Sequence, residues 1–247
     1  MKNITDKKYV ITLGCSFSTS NDENLVEKGH TFGDVIAKHY DMELIELGIP
    51  AGSNQYVRRR FFEWFTLNQE KWSDTFVVVA WTDPGRHMWW NNKKLEWFND
   101  TNQVYIEDTV RFNKDNLIHE WTYEERKKYA QNFMQHGYDE MRDYLEQIIS
   151  LQTFMKLRDI PYIMFNSLYD VIKHDSFSKD NRDYPDGTNQ IMWDDLVDKT
   201  FFYKPVFVDL TEPNKELWIR YNDTHPNKKA HKIWGNYLIE FIEEVHV

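Results

Sequence analysis

Two short stretches at opposite ends of the chain hold residue types that together can activate a nucleophile. The first is ITLGCSFSTS, residues 11–20, where an apolar run ends in Gly14-Cys15-Ser16. The second is NDTHPNKKAH, residues 222–231, where Asp223 and His225 flank Thr224 ahead of Pro226. A serine hydroxyl becomes a nucleophile when an imidazole takes its proton, and a carboxylate that fixes the imidazole tautomer completes the set. In extended backbone, positions two apart lie on one side, so Asp223 can touch the ring of His225. Each stretch also has a plainer reading. Ser16 can be a turn or helix cap, Asn222 or Asp223 can be a turn residue, and His225 can be an exposed loop residue.

A third stretch, LGIPAGSNQYVRR, residues 47–59, brackets a proline with Gly48 and Gly52 and continues into Ser53 and Asn54. The Gly52 N–H and the Asn54 side-chain amide, like the Ser16 N–H, suit the stabilisation of an oxyanion. Equally, Ser53 or Asn54 suits the N-cap of the helix that follows. A fourth, AWTDPGR, residues 80–86, offers Thr82 as a further donor, with Trp81, Asp83 and Arg86 as substrate-binding candidates. Arg86 can hold an anionic group or form a surface ion pair. Cys15 is a rival nucleophile, although its place in the turn directs it away from a cleft. His30, Asp34 and His39 are the conceivable metal ligands, but the last two are five apart and face different ways on a helix. No metal or cofactor is expected.

These residues need elements to hold them. Strand-like runs fall at Tyr9–Leu13, Glu43–Leu47, Phe76–Trp81, Tyr162–Asn166 and Val206–Leu210. The run FVVVAW is apolar almost throughout, as in a strand covered on both faces. Helical periods occupy the segments between: GHTFGDVIAKHY, NQYVRRRFFEWFTLNQ, Tyr138–Arg158 and Lys228–Glu244. Strands alternating with helices predict a parallel sheet between two helical layers, whose ligands bind at the carboxyl ends of the strands. The expected fold is α/β, a flavodoxin-like three-layer α/β/α sandwich with five parallel strands, in a single domain over residues 1–247. Two stretches break the rhythm, 87–132 and 170–204, and read as insertions at the carboxyl edge. Trp89, Trp90 and Trp97 in the first suit a carbohydrate platform, or packing.

Composition narrows the partners. A net charge of −10 over 247 residues, with no Lys/Arg stripe beyond Arg58–Arg60, argues against nucleic acid. No run approaches the roughly 20 apolar residues of a membrane helix. The single cysteine excludes an internal disulfide, and the first residues, MKNITDKKYV, lack a signal-peptide core. A cytoplasmic protein is expected, in the host cytoplasm if the gene belongs to a phage.

Taken together, the motifs resemble the SGNH (GDSL-like) hydrolase family. Gly14-Cys15-Ser16 matches its Gly-Asp-Ser block, the stretch around Gly52 its glycine block, and Asp223-Thr224-His225-Pro226 its Asp-x-x-His-Pro block. The GCSFS, GxSN and DxHPN pattern is also similar to members from bacteriophage genomes. The resemblance spans residues 8–86 and 160–247. It implies a serine esterase removing a short acyl group, such as acetyl, from a carbohydrate or similar small ester. Ser16 would attack, His225 would serve as base and Asp223 would orient it. Ser16, Gly52, Asn54 and Thr82 would supply the oxyanion hole. Three departures stand out. Cys15 replaces the family's aspartate, and the Asp-x-His spacing is one residue short, so that a literal spacing selects Asn222. The Gly-x-Asn-Asp block is absent, with Thr82-Asp83 in its place. Loss of one oxyanion donor costs about 10²–10³ in rate, so the alternative is a weak or inactive member acting as a binding or structural protein.

Overall fold

The computed structural model describes residues 4–20, 24–84, 86–91, 96–100, 137–168 and 196–246. Its strands in chain order are β1 (Tyr9–Leu13), β2 (Glu43–Glu46), β3 (Thr75–Trp81), β4 (His87–Asn91), β5 (Glu96–Asp100), β6 (Tyr162–Asn166), β7 (Phe202–Tyr203), β8 (Trp218–Arg220) and β9 (Asp223–Pro226). The helices are α1 (Phe32–Tyr40), α2 (Asn54–Leu67), α3 (Gly137–Leu157), α4 (Phe207–Thr211) and α5 (Lys228–His246).

Five strands form one sheet in the order β2-β1-β3-β6-β7, every neighbouring pair parallel. Counting only these strands, the order is 2-1-3-4-5, the doubly wound arrangement. Its direction of growth reverses between β1 and β3, the point beyond whose strand ends sheets of this topology bind their ligands. β3 is central, and all seven of its residues are buried.

Strand alternation sorts the core into two faces. Val10, Phe76, Val78, Ala80, Ile163 and Phe165 pack on Phe32 and Ile36 of α1 and on Trp234, Leu238 and Ile242 of α5. Ile11, Leu13, Val77, Val79 and Met164 pack on Val57, Phe61 and Phe65 of α2 and on Ile148, Leu151 and Met155 of α3. Each face presents branched or aromatic side chains at helical spacing, which is why these segments become covering helices.

One expected strand is a helix. Val206–Leu210 does not join the sheet: Phe207–Thr211 is α4, and the fifth strand is the two-residue β7 before it. Pro205 ends β7 because it has no N–H for the ladder. Phe207 then stacks on Trp234, with ring centroids 4.7 Å apart. A five-residue apolar run satisfies either period, and tertiary packing decided it. Within the first expected insertion, β4 and β5 pair as an antiparallel hairpin with Trp90 opposite Trp97. Residues 92–95 and 101–132, and residues 170–195 of the second, lie outside the described residues.

Candidate active site

The site starts from a glycine. Gly14 ends β1 with φ of +153°, and a Cβ on it would lie 2.5 Å from Ser18 Oγ and 2.7 Å from Ala80 O. No side chain fits, so the chain turns sharply against β3. The Ser18 N–H and Oγ both donate to Cys15 O, at 2.9 and 2.8 Å, closing the turn that presents Ser16. Cys15 points into the core and is fully buried. Ser16, in the turn after β1, is 7% exposed.

His225 arrives on a hairpin. β8 and β9 pair antiparallel around Tyr221-Asn222, with Asn222 in the left-handed region at φ of 64°. That extended backbone places Asp223 and His225 on one side of β9. His225 Nδ1 lies 2.5 Å from Asp223 Oδ1, and the His225 backbone N–H donates to the same oxygen at 3.2 Å. Nδ1 therefore carries a proton, leaving Nε2 as acceptor for the Ser16 hydroxyl 2.9 Å away. Burial pushes the Asp223 carboxyl up. Hydrogen bonds from the ring and backbone of His225, with the charges of His225 and Arg220, outweigh it and hold Asp223 below the ordinary carboxylate range. Asp223 thus stays ionised where it orients the ring. Asn227 carries the hairpin into α5, its Oδ1 accepting from the N–H groups of Lys229 and Ala230 at 2.9 and 3.1 Å.

The other predicted residues divide. The loop at Gly52 packs on the Ser16 turn, with its Cβ position 2.8 Å from Gly14 O, but the Gly52 N–H donates to Ile49 O at 3.1 Å. Ser53 is the N-cap of α2, accepting from the Tyr56 N–H at 3.2 Å. Asn54 clamps the peptide of Thr82: Nδ2 donates to Thr82 O at 3.0 Å, and the Thr82 N–H donates to Asn54 Oδ1 at 2.8 Å. Thr82 Oγ1 is buried without a hydrogen-bond partner, as are Nε and Nη1 of Arg86. Asp83 is buried and accepts the Arg86 N–H at its backbone oxygen, 3.1 Å away. Trp81 lies wholly in the core, its indole N–H directed at Met164 Sδ 3.4 Å away. Asp34 closes a capping box with Thr31, His39 pairs with Glu243 and His30 with Glu27. Among the described residues, no group of His, Cys, Asp and Glu could hold a metal ion. Nor, among them, is any helix long and apolar enough to cross a membrane.

Two neighbours of Asp223 and His225 escape sequence reading. Phe17 sets its ring against His225, with centroids 5.4 Å apart, and Phe207 supports it edge-on from behind. Arg220 reaches within 3.9 Å of Asp223 Oδ2 while its Nη2 donates to the backbone and side-chain oxygens of Asn24. The signal for Arg220 was the hairpin itself, since WIR and DTH flank an Asn-containing turn.

The chain is similar in structure to the psychrotrophic esterase EstA from Pseudoalteromonas sp., with TM-score 0.48 and 11% identity over 96% of this chain and 98% of that one. It is similar also to Axe2, an acetylxylan esterase from Geobacillus stearothermophilus, with TM-score 0.48 and 12% identity over 98% and 96%. No curated protein matches it in sequence. The model of a family of unknown function, DUF6071, matches residues 17–246, from the residue after Ser16 through Asp223 and His225, and the chain belongs to that family.

Proposed function

We propose that the protein is a serine esterase of the SGNH type that removes a short acyl group, such as acetyl, from a carbohydrate or similar small ester. One observation carries this reading: Ser16 Oγ, His225 Nε2, His225 Nδ1 and Asp223 Oδ1 form an unbroken chain with links of 2.9 and 2.5 Å. The near-complete burial of Ser16 favours a small acyl group.

Ser16 Oγ attacks the carbonyl carbon while His225 Nε2 takes the hydroxyl proton. The imidazolium is stabilised by ionised Asp223 and then returns the proton to the leaving alcohol. Water repeats the sequence on the acyl-serine and releases the acid. The Ser16 N–H, which has no hydrogen-bond partner among the described residues, supplies one donor to the oxyanion.

The test is covalent. A fluorophosphonate probe should label the wild type at Ser16 and leave Ser16→Ala unlabelled, with p-nitrophenyl acetate turnover lost in parallel. Absence of Ser16-dependent labelling and turnover in the folded wild type would falsify an esterase assignment and leave a binding role for the fold.

A further inference from the structure

Phe17 shares a turn with Ser16 and a contact with His225. It is 4% exposed, and its ring plane is tilted by 44° to that of His225, with the centroids 5.4 Å apart. Phe207 meets Phe17 edge-on at 5.7 Å and itself stacks on Trp234 of α5. The wall behind His225 is therefore continuous with the core under α5. The His225 side chain, in contrast, keeps 35% of its surface exposed.

Hydrogen bonds alone do not hold this imidazole through a reaction. The outer torsion of a histidine is broad and roughly two-fold, so the ring angle depends on what the ring touches. In the resting site both nitrogens are engaged, Nδ1 with Asp223 and Nε2 with Ser16. The proposed chemistry consumes the second link. Once Ser16 Oγ is bonded to the acyl carbon, its hydroxyl is gone, and Nε2–H has to face the leaving oxygen instead. The contact with Phe17 is not consumed. Phe17 also follows Ser16 directly, in a turn closed by Ser18 on Cys15 O, so this wall keeps its place relative to the nucleophile.

Resting on the esterase reading, we infer that Phe17 is a positioning residue that holds the His225 ring for the second proton transfer, from Nε2 to the leaving alcohol. Ser16 Oγ bonds to the carbonyl carbon as its proton passes to Nε2. When the tetrahedral intermediate collapses, the C–O bond to the alcohol breaks and its electron pair stays on the alcohol oxygen. Nε2–H protonates that oxygen, and the acyl group remains on Ser16. Phe17 itself exchanges neither proton nor electron.

The experiment compares two leaving groups that differ in their need for that proton. p-Nitrophenolate departs without one, whereas the more basic p-methoxyphenolate gains from protonation. For both acetates kcat/KM covers acylation alone, and the ratio within one preparation does not depend on the fraction folded. Phe17→Leu keeps an apolar side chain and removes the ring. It should lower kcat/KM for p-methoxyphenyl acetate about tenfold more than for p-nitrophenyl acetate. A merely structural role would lower both alike. A Phe17→Leu ratio within about threefold of wild type, while Ser16→Ala is dead, overturns the inference and spares the esterase reading. A wild type without Ser16-dependent labelling or turnover overturns both. Should Phe17→Leu fail to fold, NMR of the wild-type phosphonate adduct decides. Nuclear Overhauser contacts between the ring protons of Phe17 and His225 in the adduct support the role, and their absence ends it.

Discussion

His225 is held from both sides, by Asp223 at Nδ1 and by Ser16 at Nε2. The bond at Nδ1 matters because it selects which nitrogen is free to take a proton. Asp223→Asn keeps the side-chain shape but can donate to Nδ1, favouring the tautomer with its proton on Nε2. Such a change is expected to lower kcat by about 10⁴-fold with little change in melting temperature. Steady-state kinetics beside a thermal melt would check it. At this scale the sequence was most informative where chemistry and spacing coincide, as with Ser16 after a glycine and Asp223 two before His225. It offered Asn54 as an oxyanion donor or helix cap and missed its clamp on the Thr82 peptide, because a side chain that binds another segment's peptide leaves no periodic trace. Phe17 was hidden for the same reason, since its contact with His225 crosses most of the chain.

At the scale of elements, Asn227 joins the hairpin that carries Asp223 and His225 to its supporting helix. Its Oδ1 caps α5, and its Nδ2 donates to Glu216 O and Trp218 O at 2.8 and 3.0 Å. Asn227→Ala removes all of these and should destabilise the protein by about 1–2 kcal/mol in urea unfolding. It should also lower kcat, because β9 loses its anchor one residue from its end. Asn227→Asp retains the cap oxygen and should lose less stability. Four of the five sheet strands and the four longer helices could be read from apolar periodicity, since each buries a regular face. α4 and β7 could not. At five and two residues, they are too short for a period to outweigh Pro205 and the pull of Trp234 on Phe207.

At the scale of the molecule, the layer between α1 and α5 contains a buried base. His231 is fully buried, its Nδ1 accepting the Phe32 N–H at 3.2 Å, and desolvation lowers its pKa to about 3. Burial also lowers that of His246, partly offset by its bond to Tyr162 O. A base whose folded pKa lies below the unfolded value of about 6.5 leaves the unfolded chain with more protons in between. Stability is therefore fully present above that value and is lost as pH falls below it, by up to about 1.4 kcal/mol per pH unit for each such histidine. Asp74, Asp198 and Asp223 are lowered from 3.8, so their contributions fade only in stronger acid. Urea midpoints should drop between pH 7 and 5, and His231→Leu should flatten the drop while lowering the midpoint at pH 7. The same architecture ties reactivity to completion of the fold. Ser16 and His225 stand 209 positions apart in sequence and meet only across the finished sheet. On the proposed reading, a chain still growing or half-collapsed presents an ordinary alcohol at Ser16, and the nucleophile is armed only once His225 has been brought to it across the sheet.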